Sequence, residues 1–210
     1  PTTSGTFYVA RQKVYRSTNN GGSWTAISAN VNSTSAVREM AISKSDPSIM
    51  FATSGSLVFK STDAGLTWTN VTSGLPSRTI TSVSVYPTDP NLVFLTFSGF
   101  STNKVYKSTN GGTNWEYQES GINGYLYSVK FANNNTGWAI GGNTILKTTN
   151  SGTNWIPQVS GSSDFLFGVS FSDLNTGTAV GLSGTILRTS NGGVNWNSQF
   201  SGTERWFYDV

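Results

Sequence analysis

Histidine and cysteine are absent from all 210 residues, and only 11% of the side chains are charged. Without histidine there is no imidazole base, no Ser-His-Asp triad and no histidine-based metal site. Without cysteine there are no disulfides, no thiolate nucleophile and no zinc–thiolate site. No stretch approaches the ~18 consecutive apolar residues of a membrane-spanning helix. The formal net charge of +3 is small, and the basic residues are scattered singly. That dispersion does not make a nucleic-acid footprint, so no nucleic-acid partner is expected. Only ten acids are present, which narrows any search for a pair of catalytic carboxylates. Scarcity of charge does not mean disorder here, because aromatics reach 13% and recur in register.

What the chain has in place of charge is Ser, Thr, Asn, Gly and a repeat. The pattern Ser/Thr-x-Asn/Asp-x-Gly-x-x-Trp occurs five times, ending at Trp24, Trp68, Trp115, Trp155 and Trp196. The Trp-to-Trp intervals are 44, 47, 40 and 41 residues. A period near ~40 with strand-like flanks predicts an all-β fold, a β-propeller with one four-stranded antiparallel blade per repeat. In the third repeat the predicted strands are 80–86, 92–97, 104–107 and 114–118. Pro87-Thr88-Asp89-Pro90-Asn91 makes the turn between the first two.

The octapeptide reads as a turn staple. Asp63 of the second copy can accept backbone N–H groups and close an Asx-type turn. Gly65 supplies a backbone angle that a Cβ resists, and Trp68 covers the turn with its apolar face. The other four copies have Asn19, Asn110, Asn150 and Asn191 at the Asp position. Asn keeps the acceptor and drops the charge, which argues against a hard cation, so no metal and no cofactor is expected. Each of Trp24, Trp68, Trp115, Trp155 and Trp196 is expected to be largely buried.

This octapeptide closely resembles the Asp-box, or BNR repeat, of sialidases, xyloglucan-degrading glycosidases, sortilin-type receptors and photosystem II assembly-factor propellers. The segment from Ser45-Asp46-Pro47 to Trp68 resembles the glycosidase blades. Asn135-Thr136-Gly137-Trp138-Ala139-Ile140-Gly141-Gly142 through Trp155 resembles the assembly-factor blades. The resemblance implies the fold and is poor for activity, because the box is a turn staple away from the usual ligand face.

The repeats fall at about 1–30, 31–73, 74–120, 121–160 and 161–202, with 203–210 starting or closing a blade. The chain opens in a second strand near Phe7, and Trp206-Phe207-Tyr208-Asp209-Val210 matches the start of a first strand. Two organisations fit, a closed five-blade ring or, the favoured one, part of a larger propeller.

Analogy with other propellers nominates loops 11–13, 98–103, 121–125, 160–165 and 201–206 for ligand contact. Tyr125-Leu126-Tyr127, Phe165-Leu166-Phe167 and Trp206-Phe207-Tyr208 recur at the same point of three successive repeats. Strand alternation predicts that Tyr127, Phe167 and Tyr208 pack between blades. Tyr125, Phe165 and Trp206, with Arg205 and Glu204 beside them, are the candidate binding surface for a protein or glycan. The weak catalytic candidates are Glu39 and Asp209, at equivalent first-strand positions to Ser82, Ser128 and Gly168. Glycoside hydrolysis needs two carboxylates across a sugar. A sialidase needs an arginine cluster and an Arg-Ile-Pro signature, and the signature is absent. An assembly-factor role would need an arginine patch, with Arg11, Arg38, Arg78 and Arg205 as its candidates. The expected function is therefore a non-catalytic binding propeller, secreted or on a cell surface and bacterial. A glycoside hydrolase, or a fragment of one, is the alternative, and an assembly factor the second alternative.

Overall fold

The computed structural model describes residues 5–99 and 104–210. Positions 100–103 of the nominated loop 98–103 therefore lie outside the described residues. The described chain is all-β, in five antiparallel sheets. The first has three strands, β1 (Phe7–Ala10), β2 (Val14–Ser17) and β3 (Thr25–Ala26). The second has four, β4 (Glu39–Ile42), β5 (Met50–Ser54), β6 (Leu57–Ser61) and β7 (Thr69–Asn70). The third contains β8 (Ile80–Val85), β9 (Val93–Phe97), β10 (Val105–Ser108) and β11 (Glu116–Gln118). The fourth contains β12 (Ser128–Phe131), β13 (Gly137–Gly141), β14 (Thr144–Thr148) and β15 (Ile156–Gln158). The fifth contains β16 (Leu166–Phe171), β17 (Gly177–Gly181), β18 (Ile186–Thr189) and β19 (Asn197–Gln199). In each sheet sequential strands are neighbours, the up-and-down order of a propeller blade. Residues 203–210 form no strand. No described helix is long and apolar enough to cross a membrane.

By compactness the chain divides into two units, residues 1–93 with 108–115 and residues 94–107 with 116–210. The first is organised around Val14, Val31, Ala52 and Phe59. The second has a core that includes Trp138, Ile140, Ile145, Leu166, Val169, Leu187 and Trp196.

Each box is a local hydrogen-bond circuit, and the five circuits superpose bond for bond. In the second, the Ser61 hydroxyl donates to Asp63 Oδ1 at 2.7 Å and accepts the Gly65 amide at 2.9 Å. Asp63 Oδ1 accepts the Thr67 amide at 2.9 Å. Asn191 repeats this with Thr189 and the Asn195 amide. The fourth and fifth residues of each box are consecutive left-handed positions, φ +58° at Ala64 and +88° at Gly65. That is why the fifth is glycine in every copy.

Asp63 adds one bond that Asn cannot make with the same strength, a 2.6 Å bond from Thr67 Oγ1 to Oδ2. The Thr67 hydroxyl and amide, then Ser61, hold its carboxyl at about 2, below the ordinary 3.8. The folded value is depressed, so the stabilisation is complete above the unfolded value and disappears as pH falls through the folded one. In chemical unfolding, Asp63→Asn should lose stability relative to wild type near neutral pH. That gap should shrink as pH falls from about 4 through about 2, as the Asp63 carboxyl becomes protonated in the folded chain. A gap that stays constant over this window would show that the charge has no part in the turn.

Trp115, Trp155 and Trp196 are buried as expected, between 7% and 9% exposed. Trp68 is half-buried, and Trp24 departs from expectation at 41% exposed. The Trp115 indole Nε1 donates to the Val71 carbonyl of the preceding repeat at 2.8 Å, whereas Trp68 Nε1 donates to the Gly65 carbonyl of its own box.

The second unit shows how successive blades grip. Phe94 of β9 stacks on Phe131 of β12 at 4.3 Å, and Phe131 meets Trp155 edge-on. One blade later Trp138 stacks on Phe171 at 3.4 Å and 9°, and Phe171 meets Trp196 edge-on at 89°. Beside each pair a lysine crosses to the next box. Lys107 Nζ donates to the Ser151 carbonyl at 3.0 Å and Lys147 Nζ to the Gly192 carbonyl at 2.7 Å. Their stems lie over Phe94 and Trp138, at 5.7 and 5.3 Å from Nζ to ring centre. Burial pushes both ammonium groups down, with Glu116 partly offsetting this at Lys107. Lys60 has the same place over Phe51 in the first unit. The fifth sheet breaks the pattern, with Thr178 opposite an exposed Arg188.

Candidate functional site

In two of the three recurring aromatic segments the central side chain is turned inward, and in the third Phe207 is half-buried. Leu126 and Leu166 are fully buried, so the residues on either side point the other way by the period of two. Close backbone passage makes this possible. A Cβ on Gly141 would collide with the Tyr125 carbonyl, and one on Gly181 with the Phe165 carbonyl. The segments are tied down by backbone bonds: the Leu166 amide donates to Gly142 and the Phe207 amide to Gly181, at 2.7 and 2.9 Å.

The outward rings meet in one continuous row. Tyr125 and Tyr127 stack at 5.8 Å and 3°, and Tyr127 meets Phe167 edge-on at 5.1 Å. Phe167 stacks on Tyr208 at 5.3 Å, and Tyr208 meets Trp206 at 6.2 Å. Lys104 Nζ lies 5.7 Å from the Tyr125 ring centre, a cation–π distance. Phe165 and Trp206 are exposed as expected, and Tyr125 is half-buried. Tyr127 and Phe167 are half-buried between repeats, as the alternation predicted. Tyr208 was expected in the same packed role but is 65% exposed. It stacks on only one side, against Phe167, and leaves its other face and Trp206 to solvent.

Glu204, Arg205, Trp206 and Tyr208 line one cleft of about 410 Å³. Arg205 is held there through its backbone, whose carbonyl accepts the Gly184 amide at 2.9 Å. A second cleft of about 790 Å³ has a mixed lining that includes Asp164, Thr185, Phe200 and Glu204. Asp164 Oδ2 accepts the Thr185 hydroxyl at 2.7 Å. The sequence reading gave Asp164 no role, and its pairing with Glu204 in one cleft is not written in any local motif.

The two catalytic candidates have different local surroundings. Glu39 and Asp209 belong to different compact units. Glu39 is a staple between blades, accepting the Ser82 hydroxyl at 3.2 Å and the Val83 amide at 2.9 Å. Asp209 is exposed, and its Oδ1 accepts the Val210 amide. The equivalence noted in the sequence is a real juxtaposition. Glu39 touches its counterpart Ser82, and a Cβ on Gly168 would lie 2.7 Å from Asp209 Cα.

An ancestral GH74 enzyme has the same fold, with a TM-score of 0.76 at 22% identity over 98% of this chain. This chain spans 31% of that enzyme's length. The GH74 xyloglucanase from Xanthomonas campestris gives 0.73 at 16% identity, with 96% of this chain and 37% of the enzyme covered. YCF48 bound to D1 peptide gives 0.69 at 18% identity, covering 93% of this chain and 65% of that one. No curated protein sequence matches significantly. The family model for Sortilin-Vps10, described as sortilin, neurotensin receptor 3, matches residues 12–154. With that match over residues 12–154, and with five Asp-box circuits and up-and-down blades along the chain, the chain belongs to the Sortilin-Vps10 family of BNR-type β-propellers.

Proposed function

We propose that this chain is a non-catalytic, exported propeller module that binds a protein or glycan partner through the aromatic row of its second unit. One observation carries this reading: five rings from three successive repeats contact one another in a row, and two of them, Trp206 and Tyr208, are more than half exposed. An exposed, contiguous aromatic surface on a rigid sheet scaffold is the usual form of a binding site. The rings are held by stacking and by backbone bonds to glycine, so little conformational freedom is lost on binding. The structure of YCF48 with D1 peptide supports the protein-binding form, by fold-level analogy. Glu204 and Arg205 beside the rings supply charge for orientation.

The test is panning of the chain against peptide and glycan arrays, followed by titration of the best ligand with single variants. Trp206→Ala and Tyr125→Ala should each weaken binding by about 30-fold, the effect of truncating an aromatic anchor worth ~2 kcal/mol. Thermal unfolding of each variant reports separately on the fold. Full affinity in well-folded Trp206→Ala and Tyr125→Ala proteins would reject the surface.

A second reading has a specific observation in its favour. Asp164 and Glu204 line one cleft, and carboxylates are the residue types that glycoside hydrolysis uses. Hydrolysis of a polysaccharide that is lost in both Asp164→Asn and Glu204→Gln would move the assignment to a glycosidase. Loss in Glu39→Gln or Asp209→Asn instead would restore the pair nominated from sequence.

A further inference from the structure

The first unit contains a cleft that the aromatic row does not use. It occupies about 510 Å³ between the β1–β2 hairpin and the loop that follows β3. Its lining includes Arg11, Gln12, Lys13, Tyr15, Asn30 and Ser35, and none of its lining residues is acidic. Two cations one residue apart on a hairpin tip face a wall of amide and hydroxyl groups. We propose that this cleft is a binding site for a tetrahedral oxyanion, a phosphate or sulfate group, independent of the partner surface of the second unit.

The walls are fixed before any ligand arrives. The Val31 amide donates to the Gln12 carbonyl at 2.7 Å, and the Val37 amide donates to the Arg11 carbonyl. The loop is therefore stitched to the hairpin tip at both of its ends. Its interior is held by Asn32, which is buried. Asn32 Oδ1 accepts the Thr34 amide and hydroxyl at 3.0 and 2.9 Å, while its Nδ2 donates to Ser54 Oγ at 3.0 Å. Ser54 Oγ in turn donates to the Ala36 carbonyl at 2.8 Å. This network orders the loop, and Arg11 and Lys13 line the cleft opposite it.

Charge and donor geometry select the ligand. A guanidinium presents parallel N–H donors that match two oxygens of a phosphate or sulfate, and a nearby ammonium adds a point charge. Gln12, Asn30 and Ser35 are further donors. A neutral sugar would leave both cations without a counter-charge. A carboxylate presents only two oxygens and one charge to the same donors. Tyr15 is 37% exposed at the side of the cleft. Its ring gives an organic ester a surface that the free ion lacks.

Titration of the full chain, followed by amide chemical shifts at constant ionic strength, tests the site. The probes are sodium phosphate, sodium sulfate, sodium acetate and glucose 6-phosphate. Phosphate or sulfate should shift residues 11–13 and 30–36 saturably, with a dissociation constant of about 1 mM. The double variant Arg11→Gln/Lys13→Gln should weaken this by at least about tenfold. Lys13→Arg, which keeps the charge, should stay within about threefold of wild type. Glucose 6-phosphate tighter than phosphate would identify an esterified ligand resting on Tyr15, and equal affinity would identify the free ion. Shifts that never saturate, equal affinity for acetate, or an unchanged constant in the double variant would overturn the proposal.

Discussion

Replacing Trp138 by alanine should lower the unfolding free energy by about 4 kcal/mol, in the range for deleting a fully buried aromatic side chain. Trp138 is 0% exposed and lies in the hydrophobic core of the second unit. Its indole stacks on Phe171 at 3.4 Å, and Phe171 supports Trp196. Lys147 Nζ lies 5.3 Å from the Trp138 ring centre and donates to the Gly192 carbonyl. Removal of the indole leaves a cavity between two blades and withdraws the apolar surface along which Lys147 is stretched. The matching change Trp24→Ala should cost less than about 1 kcal/mol, because that ring is 41% exposed. Urea unfolding of the two variants side by side checks the ranking. Equal losses would mean that box and strand tryptophans are not distinguished by the interface between blades.

This contrast shows what was legible in the residues and what was not. The Asp-box could be read because its hydrogen bonds are local, running from Ser61 to Asp63 and Gly65 over two and four positions. A turn of that kind is specified by its own eight residues. The strands of the third repeat were legible for the same reason, observed at 80–85, 93–97, 105–108 and 116–118. The role of Lys60, Lys107 and Lys147, each just before a box, was not legible. Their partners lie 44 and 45 positions away, one whole repeat, and no local pattern encodes a contact at that separation. Once known, the signal is plain: Lys60, Lys107 and Lys147 sit across the sheet from an aromatic in β5, β9 and β13. Trp24 and Tyr208 failed for a related reason. Burial of a ring between blades depends on the neighbouring repeat, so equivalent positions in the sequence are not equivalent in their surroundings. Of the site, the three aromatic segments were legible through alternation. Their joining into one row depends on Gly141 and Gly181, which let the backbones pass. Glu39 was read as an acid with a possible chemical role and is occupied by Ser82 and Val83. A lone carboxylate in a strand gives no sign of whether its partner is substrate or the next blade's backbone.

The glycine at the fifth box position is where local turn and distant interface meet, and Gly152→Val should cost about 4 kcal/mol. Two effects add. Gly152 has φ +80°, a left-handed angle that a β-branched residue adopts only with strain of ~1–3 kcal/mol. A Cβ there would also lie 2.6 Å from Phe94 Cε1 and 3.1 Å from Cζ. Phe94 cannot yield, since it is fully buried, stacked on Phe131 and covered by Lys107. Overpacking of this kind costs a further ~1–3 kcal/mol. Gly161 separates the two contributions. It has φ +71° but no atom within 4 Å of a Cβ, so Gly161→Val carries the backbone strain alone and should cost about 2 kcal/mol. The excess at Gly152 then measures the pressure of the box against the ring of the preceding blade. A second variant, Phe94→Leu, should recover part of that excess in the Gly152→Val background, because it removes the atoms that the new side chain meets. If Gly152→Val and Gly161→Val destabilise equally, or if Phe94→Leu brings no recovery, the glycine is conformational only and the blades do not lock through their boxes.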